Sequence, residues 1–382
     1  MIERYVDRRM FTGAMLAAAT LATGAGRAAA AVSEGAIRKL YERAIVIDGL
    51  SSPTSANVPF PPVGPLTQLQ LDNIRKSGIT AINYTVGKPG PLVETVKEIG
   101  FWTREIDKHP DYLRLVKTAD DILVAKKEGK LGIVFGFQGM HMIGTDLELI
   151  DSFAAMSVKI MQLTYNDKNA LGAGSGLPVS EGLSPLGREA VARMNSNNVL
   201  VDVSHANPRT AIEAIRASRA SPTISHTGCR AIFDSQRNLP DDVLRACADK
   251  GGVVGIYLMP FLGGDPVSPS RARVIRHIEH ALKVCGEDHV GIGSDLSITP
   301  IEINEEYMGY VRKTAAARKA AGIGAASGES DGPITTPELN SARRLEMIAE
   351  SLAANGHPPR LIEKVIGGNV FRLYREVWQG RA

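Results

Sequence analysis

The sequence predicts an α/β fold, a (β/α)8 TIM barrel formed by one domain, from three observations. Eight short apolar runs rich in β-branched residues start near residues 45, 79, 132, 159, 200, 222, 252 and 289, and most are followed by a helical pattern. None alternates strongly between polar and apolar residues, as expected of parallel strands covered on both faces. The runs nevertheless end in polar residues (Asp48, Gln138, Tyr165, His205, His226 and Asp295), and strand ends face the C-terminal mouth of a parallel barrel. A doubly wound open sheet is the competing arrangement, but no Gly-rich phosphate fingerprint follows any strand.

Taken in order, residues 1–31 stand apart. Arg4, Arg8 and Arg9 precede a weakly apolar Ala/Thr/Gly core, and small residues surround Ala29 to Ala31. This is the layout of a bacterial export signal, and Asp7-Arg-Arg-Met-Phe11 resembles a twin-arginine motif. The expected location is therefore periplasmic or secreted, with residues 32–382 as the barrel. No other stretch reaches transmembrane length.

The first strand lies in Ala44 to Gly49 and is followed by a Pro-rich irregular stretch. A helix is predicted over Thr67 to Lys76 and ended by Gly78. Ile79 to Val86 is the second strand, Leu92 to Asp107 a helix, Ala119 to Glu128 another, and Leu131 to Gln138 the third strand. A helix over Asp146 to Met156 leads to the fourth strand, Val158 to Tyr165. The Gly/Asn-rich loop from Asn166 to Gly182 is too long for a bare connector, which points to a functional role.

Val199 to His205 and Ser221 to His226 form the next two strands, each ending in Ser-His. The helix between them starts with Asn207 at the N-cap and Pro208 at the first helical position. Pro240 opens a helix, Gly252 to Met259 is the seventh strand, and Ser270 to Cys285 is an amphipathic helix. His289 to Asp295 is the eighth strand. A long insertion, loosely helical in pattern, runs from Ile298 to Pro337, and closing helices cover Thr336 to Asn355 and Pro359 to Trp378.

The composition narrows the function. The chain has 44 basic and 41 acidic residues, and no basic stripe with interleaved aromatics, which argues against nucleic acid as a partner. Three widely spaced cysteines give neither a disulfide framework nor a paired-Cys metal motif. His205 and His226 end neighbouring parallel strands, so two imidazoles meet at one barrel end. They are either hydrogen-bonded core histidines or a metal-binding pair. With Asp295 they make up two imidazoles and a carboxylate, a catalytic-metal inventory.

Five motifs carry a resemblance. Asp202-Val-Ser-His205, Ser225-His-Thr227, Gln236-Arg-Asn-Leu-Pro-Asp-Asp242, His289-Val-Gly-Ile-Gly-Ser-Asp295 and Gly367-Gly-Asn-Val-Phe-Arg372 resemble, in order and spacing, those of the membrane (renal) dipeptidase family. The resemblance implies a barrel of the metal-dependent amidohydrolase type and a two-zinc hydrolase of dipeptides and related small amides. It implies that His205 and His226 bind the second zinc and that Arg237 holds the substrate carboxylate. Asp295 would then serve the metal centre as ligand and acid/base. A guanidinium suits a carboxylate because it can bind through two N–H groups.

The sequence also departs from the family pattern. Where the family's first strand ends in Asp-Gly-His-Asn-Asp, this chain reads Asp48-Gly-Leu50-Ser51-Ser52, without the first-zinc ligands. The bridging glutamate is replaced by Gln138, a poor bridge between cations, and the substrate-contacting His by Tyr165. Loss of the first metal removes the need for a bridging charge, so the pattern implies one zinc per chain. Tyr165 is placed to donate to an oxyanion or to fill volume, Gln138 becomes a substrate contact, and His141 reads as a pocket-wall or surface residue.

The expected partner is a dipeptide or similar small molecule, and the expected assembly a homodimer. Two alternatives stay open. One is a non-hydrolytic maturation or binding protein on a dipeptidase barrel. The other is a one-metal amidohydrolase relative with a different substrate.

Overall fold

Eight parallel strands form the centre of the computed structural model, which describes residues 34–57, 65–87, 89–263, 269–320 and 332–379. They are β1 (Ile47–Asp48), β2 (Ala81–Gly87), β3 (Leu131–Phe137), β4 (Val158–Gln162), β5 (Leu200–Asp202), β6 (Thr223–Thr227), β7 (Val253–Ile256) and β8 (Val290–Ile292). Each pairs with the next in order. The first and last meet where Gly49 N donates to Ile292 O at 2.7 Å. This is the predicted barrel. Two additions fall outside the eight runs: Leu113–Leu115 pairs with the first half of β3, and Ser51–Ser52 pairs with Leu296–Ser297 at the mouth.

Local sequence explains the helix boundaries. Thr67 caps Gln68–Ser77 through a reciprocal box with Gln70, and Gly78 ends that helix in the left-handed region at φ 65°. Asn207 accepts from Thr210 N, with Pro208 at the first position, as expected. Cys229, Cys247 and Cys285 are free and buried. His277 also lies in the core: its Nδ1 accepts from Cys229 N and its Nε2 donates to Leu262 O, both at 3.0 Å.

The barrel interior has two distinct ends. At the bottom, Ile47, Ala81, Val134, Ile160, Leu200 and Val253 form one apolar cluster. The helix Asn369–Trp378 seals it, contributing Leu373, Tyr374, Val377 and Trp378. The top is polar. The insertion after β8 contains a helix, Glu305–Ala320, whose residues Tyr307, Tyr310, Val311, Thr314 and Ala315 recur at helical spacing and line the mouth cavities. No helix among the described residues is long and apolar enough to cross a membrane. The export-signal reading falls on residues outside the described set.

Candidate active site at the barrel mouth

His205 follows β5 and His226 lies in β6, and their ring centroids are 4.9 Å apart with planes tilted by 59°. Both are buried. Hydrogen bonding fixes both tautomers. Asn166 Oδ1 lies 2.7 Å from His205 Nδ1 and also accepts from Ser175 Oγ at 2.8 Å. A carbonyl oxygen only accepts, so Nδ1 carries the proton and Nε2 the lone pair. Consistently, Nε2 accepts from Arg237 Nη2 at 3.2 Å. Asn166, in the loop after β4, therefore holds the first imidazole.

For His226, the partner is Ser225 Oγ, 2.8 Å from Nδ1. That hydroxyl gives its single proton to Asp202 Oδ2 at 2.5 Å, so it accepts from Nδ1–H. Asp202 is fully buried, and burial raises its pKa while the donors from Ser204 and Ser225 oppose the rise. His226 Nε2 is then a bare lone pair, buried and without a hydrogen-bond partner among the described residues. Burial, then the Arg237 charge, hold His226 well below the usual imidazole range, so it is neutral at pH 7. Glycines let the backbone pack this closely. A Cβ on Gly293 would lie 1.9 Å from the Ser225 carbonyl oxygen, and one on Gly255 would lie 2.0 Å from it. The β6–β7 register shifts between Ile224 and Thr227.

Arg237 is buried and donates through Nη1 to Ser204 O at 2.9 Å. Tyr257, at the end of the seventh apolar run, lies beneath it, with 5.9 Å from guanidinium carbon to ring centroid. The Tyr257 hydroxyl donates to Asn238 Oδ1 at 2.5 Å, and Asn238 Nδ2 holds Phe233 O and Phe261 O, each at 2.8 Å. Tyr257 was not singled out in the sequence, where only its place at the end of an apolar run marks it. Tyr165 stacks on His205 at 4.3 Å with planes 19° apart.

The mouth has two adjoining pockets. One, of about 60 Å³, is lined by Tyr165, Asn166, His205, Arg237 and Asp295 under Glu305–Ala320, the cover helix. The other, of about 240 Å³, is lined by Leu50, Ser52, Thr85, Gln138 and Asp295 among others. Asp295 lies on both walls, in a left-handed backbone conformation at φ 57°, and its N–H donates to Leu50 O at 2.8 Å.

Asp48 does not face the mouth. Its carboxylate turns back to accept from Ser294 N at 2.7 Å and Ser294 Oγ at 2.6 Å, and burial raises its pKa to about 6 against the nearby Arg344 charge. Gln138 lines the larger pocket, apart from the imidazoles, and donates to Thr85 Oγ1 at 3.0 Å. His141 pairs with Asp167 at 3.1 Å. Asp295 shares a pocket with His205, but among the described residues no three His, Cys, Asp or Glu side chains converge as a metal-holding group.

Leu50, Ser52 and Gln138 bring no anionic or imidazole donor to the larger pocket. Each of the two imidazoles is held by a hydrogen bond at Nδ1, and His205 Nε2 already accepts from Arg237.

Comparison with known proteins agrees with the barrel. The family model for membrane dipeptidase (peptidase family M19) matches residues 79–305, more than half of the chain. The dipeptidase tcpJ of Claviceps purpurea is 25% identical over 287 residues, 74% of this chain and 60% of its own length. An uncharacterized dipeptidase of Schizosaccharomyces pombe is 34% identical over 217 residues, 54% of this chain and 51% of its own. The chain thus spans between half and three-fifths of these relatives.

An amidohydrolase from Pseudomonas aeruginosa superposes with a TM-score of 0.78 at 29% identity, over 90% of this chain and 99% of that one. A metallopeptidase from Rhodobacter sphaeroides, solved with a phosphinate mimic of L-Ala-D-Ala, shares the fold with a TM-score of 0.69 at 19% identity, over 88% of this chain and all of its own. Family model, relatives and barrel agree: the chain belongs to the membrane dipeptidase family.

Proposed function

We propose that this chain is a periplasmic metal-dependent hydrolase that cleaves a dipeptide or a similar small carboxylate-bearing amide. The observation that carries the reading is the His205–His226 pair, ring centroids 4.9 Å apart and each Nδ1 held by a hydrogen bond, beside a pocket that His205 lines with Arg237 and Asp295. His205 and His226 would hold one zinc, which would supply Lewis acidity and lower the pKa of water.

The chain's own residues do the rest. Arg237 uses two of its five N–H groups internally, on Ser204 O and His205 Nε2, so others remain for a substrate carboxylate. Asp295, on the wall shared by the pockets, takes the proton of the attacking water and returns it to the leaving amine. The Tyr165 hydroxyl donates to the oxyanion. The cover helix limits access of bulk water. The periplasmic location is read from residues 1–31.

The Arg237–His205 hydrogen bond favours a second reading, a dipeptidase barrel kept for binding without hydrolysis. Metal analysis of protein purified without chelator, followed by a dipeptide panel, separates the two. About one zinc per chain and turnover of a dipeptide support the hydrolase. Metal-free protein that turns over none of the panel after zinc loading defeats it.

A further inference from the structure

Leu50, Ser52 and Gln138, the departures from the family's first-metal positions, all line the larger mouth pocket, whose cavity is about 240 Å³. We propose that this pocket is a second ligand subsite, one that takes an uncharged group rich in amide or hydroxyl functions. The inference accepts the mouth as the substrate-binding end, and so rests on the reading above, and it names the chemistry of the substrate part lodged there.

The lining chooses the guest. Among the described residues around the pocket, Asp295 is the sole charged side chain, and it stands on the boundary with the imidazole pocket. A carboxylate lodged here would be desolvated without a cation, which is costly. Leu50, Leu296, Ile301 and Ile334 supply apolar wall.

Polar capacity is left over for a guest. Ser52 Oγ and Thr54 Oγ1 share one hydrogen bond at 2.7 Å, so one of their two hydroxyl protons is uncommitted. The Gln138 carboxamide donates to Thr85 through Nε2, which turns its oxygen into an acceptor for a guest N–H or O–H. Tyr307 Oη accepts from Ile334 N at 3.2 Å and keeps its own proton to donate. Donors and acceptors without net charge, on an apolar frame, match a carboxamide or a hydroxylated group.

The test compares two nearly isosteric probes, N-acetyl-glutamine methylamide and N-acetyl-glutamate methylamide, by ligand-observed NMR titration of the full chain in EDTA. Neither has the terminal carboxylate that Arg237 would hold, so binding reads this pocket without metal or turnover. The expected result is saturable binding of the glutamine probe and at least tenfold weaker binding of the glutamate probe. Gln138→Leu and the milder Ser52→Ala should each weaken the glutamine probe at least fivefold, with folding checked by circular dichroism.

Equal binding of both probes, no binding of the glutamine probe, or binding indifferent to both folded variants overturns the subsite. If the glutamine probe binds while zinc and dipeptide turnover are absent, the subsite stands and the hydrolase reading falls. If dipeptides are cleaved and the probe does not bind, the reverse holds.

Discussion

Arg237 Nη2 lies 3.2 Å from His205 Nε2, so the nitrogen that would meet a metal ion already accepts from a buried cation. Guanidinium and metal compete for one lone pair. Arg237→Ala should therefore bind zinc roughly tenfold more tightly, as the loss of one charge-assisted hydrogen bond allows. The same variant should lose roughly 10- to 100-fold in kcat/KM on a dipeptide, mostly through KM, because it cannot hold the carboxylate. Zinc calorimetry and steady-state kinetics on one preparation check both. Unchanged zinc affinity would show that Arg237 does not guard the site.

Ser225 works at one remove from the ion. Its hydroxyl orients His226 by accepting from Nδ1 and passes its own proton to Asp202. Ser225→Ala should lower zinc affinity by roughly 10- to 100-fold while leaving both imidazoles in place. Competition with a chromogenic chelator reads this directly, and affinity equal to that of the parent protein would remove Ser225 from the metal shell.

Gly293 is required on steric grounds. A Cβ there would meet the Ser225 carbonyl oxygen at 1.9 Å, and backbone cannot yield as a side-chain tip can. Gly293→Ala should cost about 3 kcal/mol or more, since overpacking a rigid site costs about 1–3 kcal/mol even where side chains adjust. Urea denaturation measures the loss. A midpoint within error of the parent would show that the strand ends repack freely.

Two buried groups should give opposite slopes to stability against pH. His277 is held down to about 4 by burial, from 6.5 when exposed. Its neutral form is favoured in the fold, so its contribution is full above pH 6.5 and is lost as pH falls from 6.5 towards 4, by about 3 kcal/mol. Asp48 is raised by burial from 3.8 to about 6, so its contribution is full below pH 3.8 and is lost as pH rises towards 6. Asp48→Asn should thus steepen the acid-side loss of stability, and His277→Gln should flatten it. Unfolding free energies at pH 4 to 7 decide this, and parallel curves for all three proteins would contradict it.

The barrel was legible because apolar strand runs and helix caps are local signals. Thr67, Gly78 and Asn207 each acted as their chemistry dictates. The Ser-His repeat was legible for the same reason. Asp48 misled because a strand alternates its faces: a polar residue at the last position turns either into the mouth or back into the wall, and Ser294 drew it into the wall. Strand ends were overestimated, as in Val199 to His205 against the observed Leu200–Asp202, because the serines after Asp202 bond its carboxylate in place of a ladder. The cover helix was obscured by its Ala-rich composition, and its inward face becomes evident only once the mouth beneath it is in place. The meeting of Arg237, Tyr257 and Asn238 is tertiary, and no spacing in the chain encodes it.

The stopper at the barrel's lower end sets an order in time. Ile47, Val134, Ile160, Leu200 and Val253 belong to strands made early or midway through synthesis, but the residues that cover them, Leu373 to Trp378, are translated more than a hundred residues after β7. Until that late helix docks, the lower layer of the barrel faces water. Docking of the Asn369–Trp378 helix, more than the closure of any strand pair, is therefore the step that can make the lower end of the barrel dry.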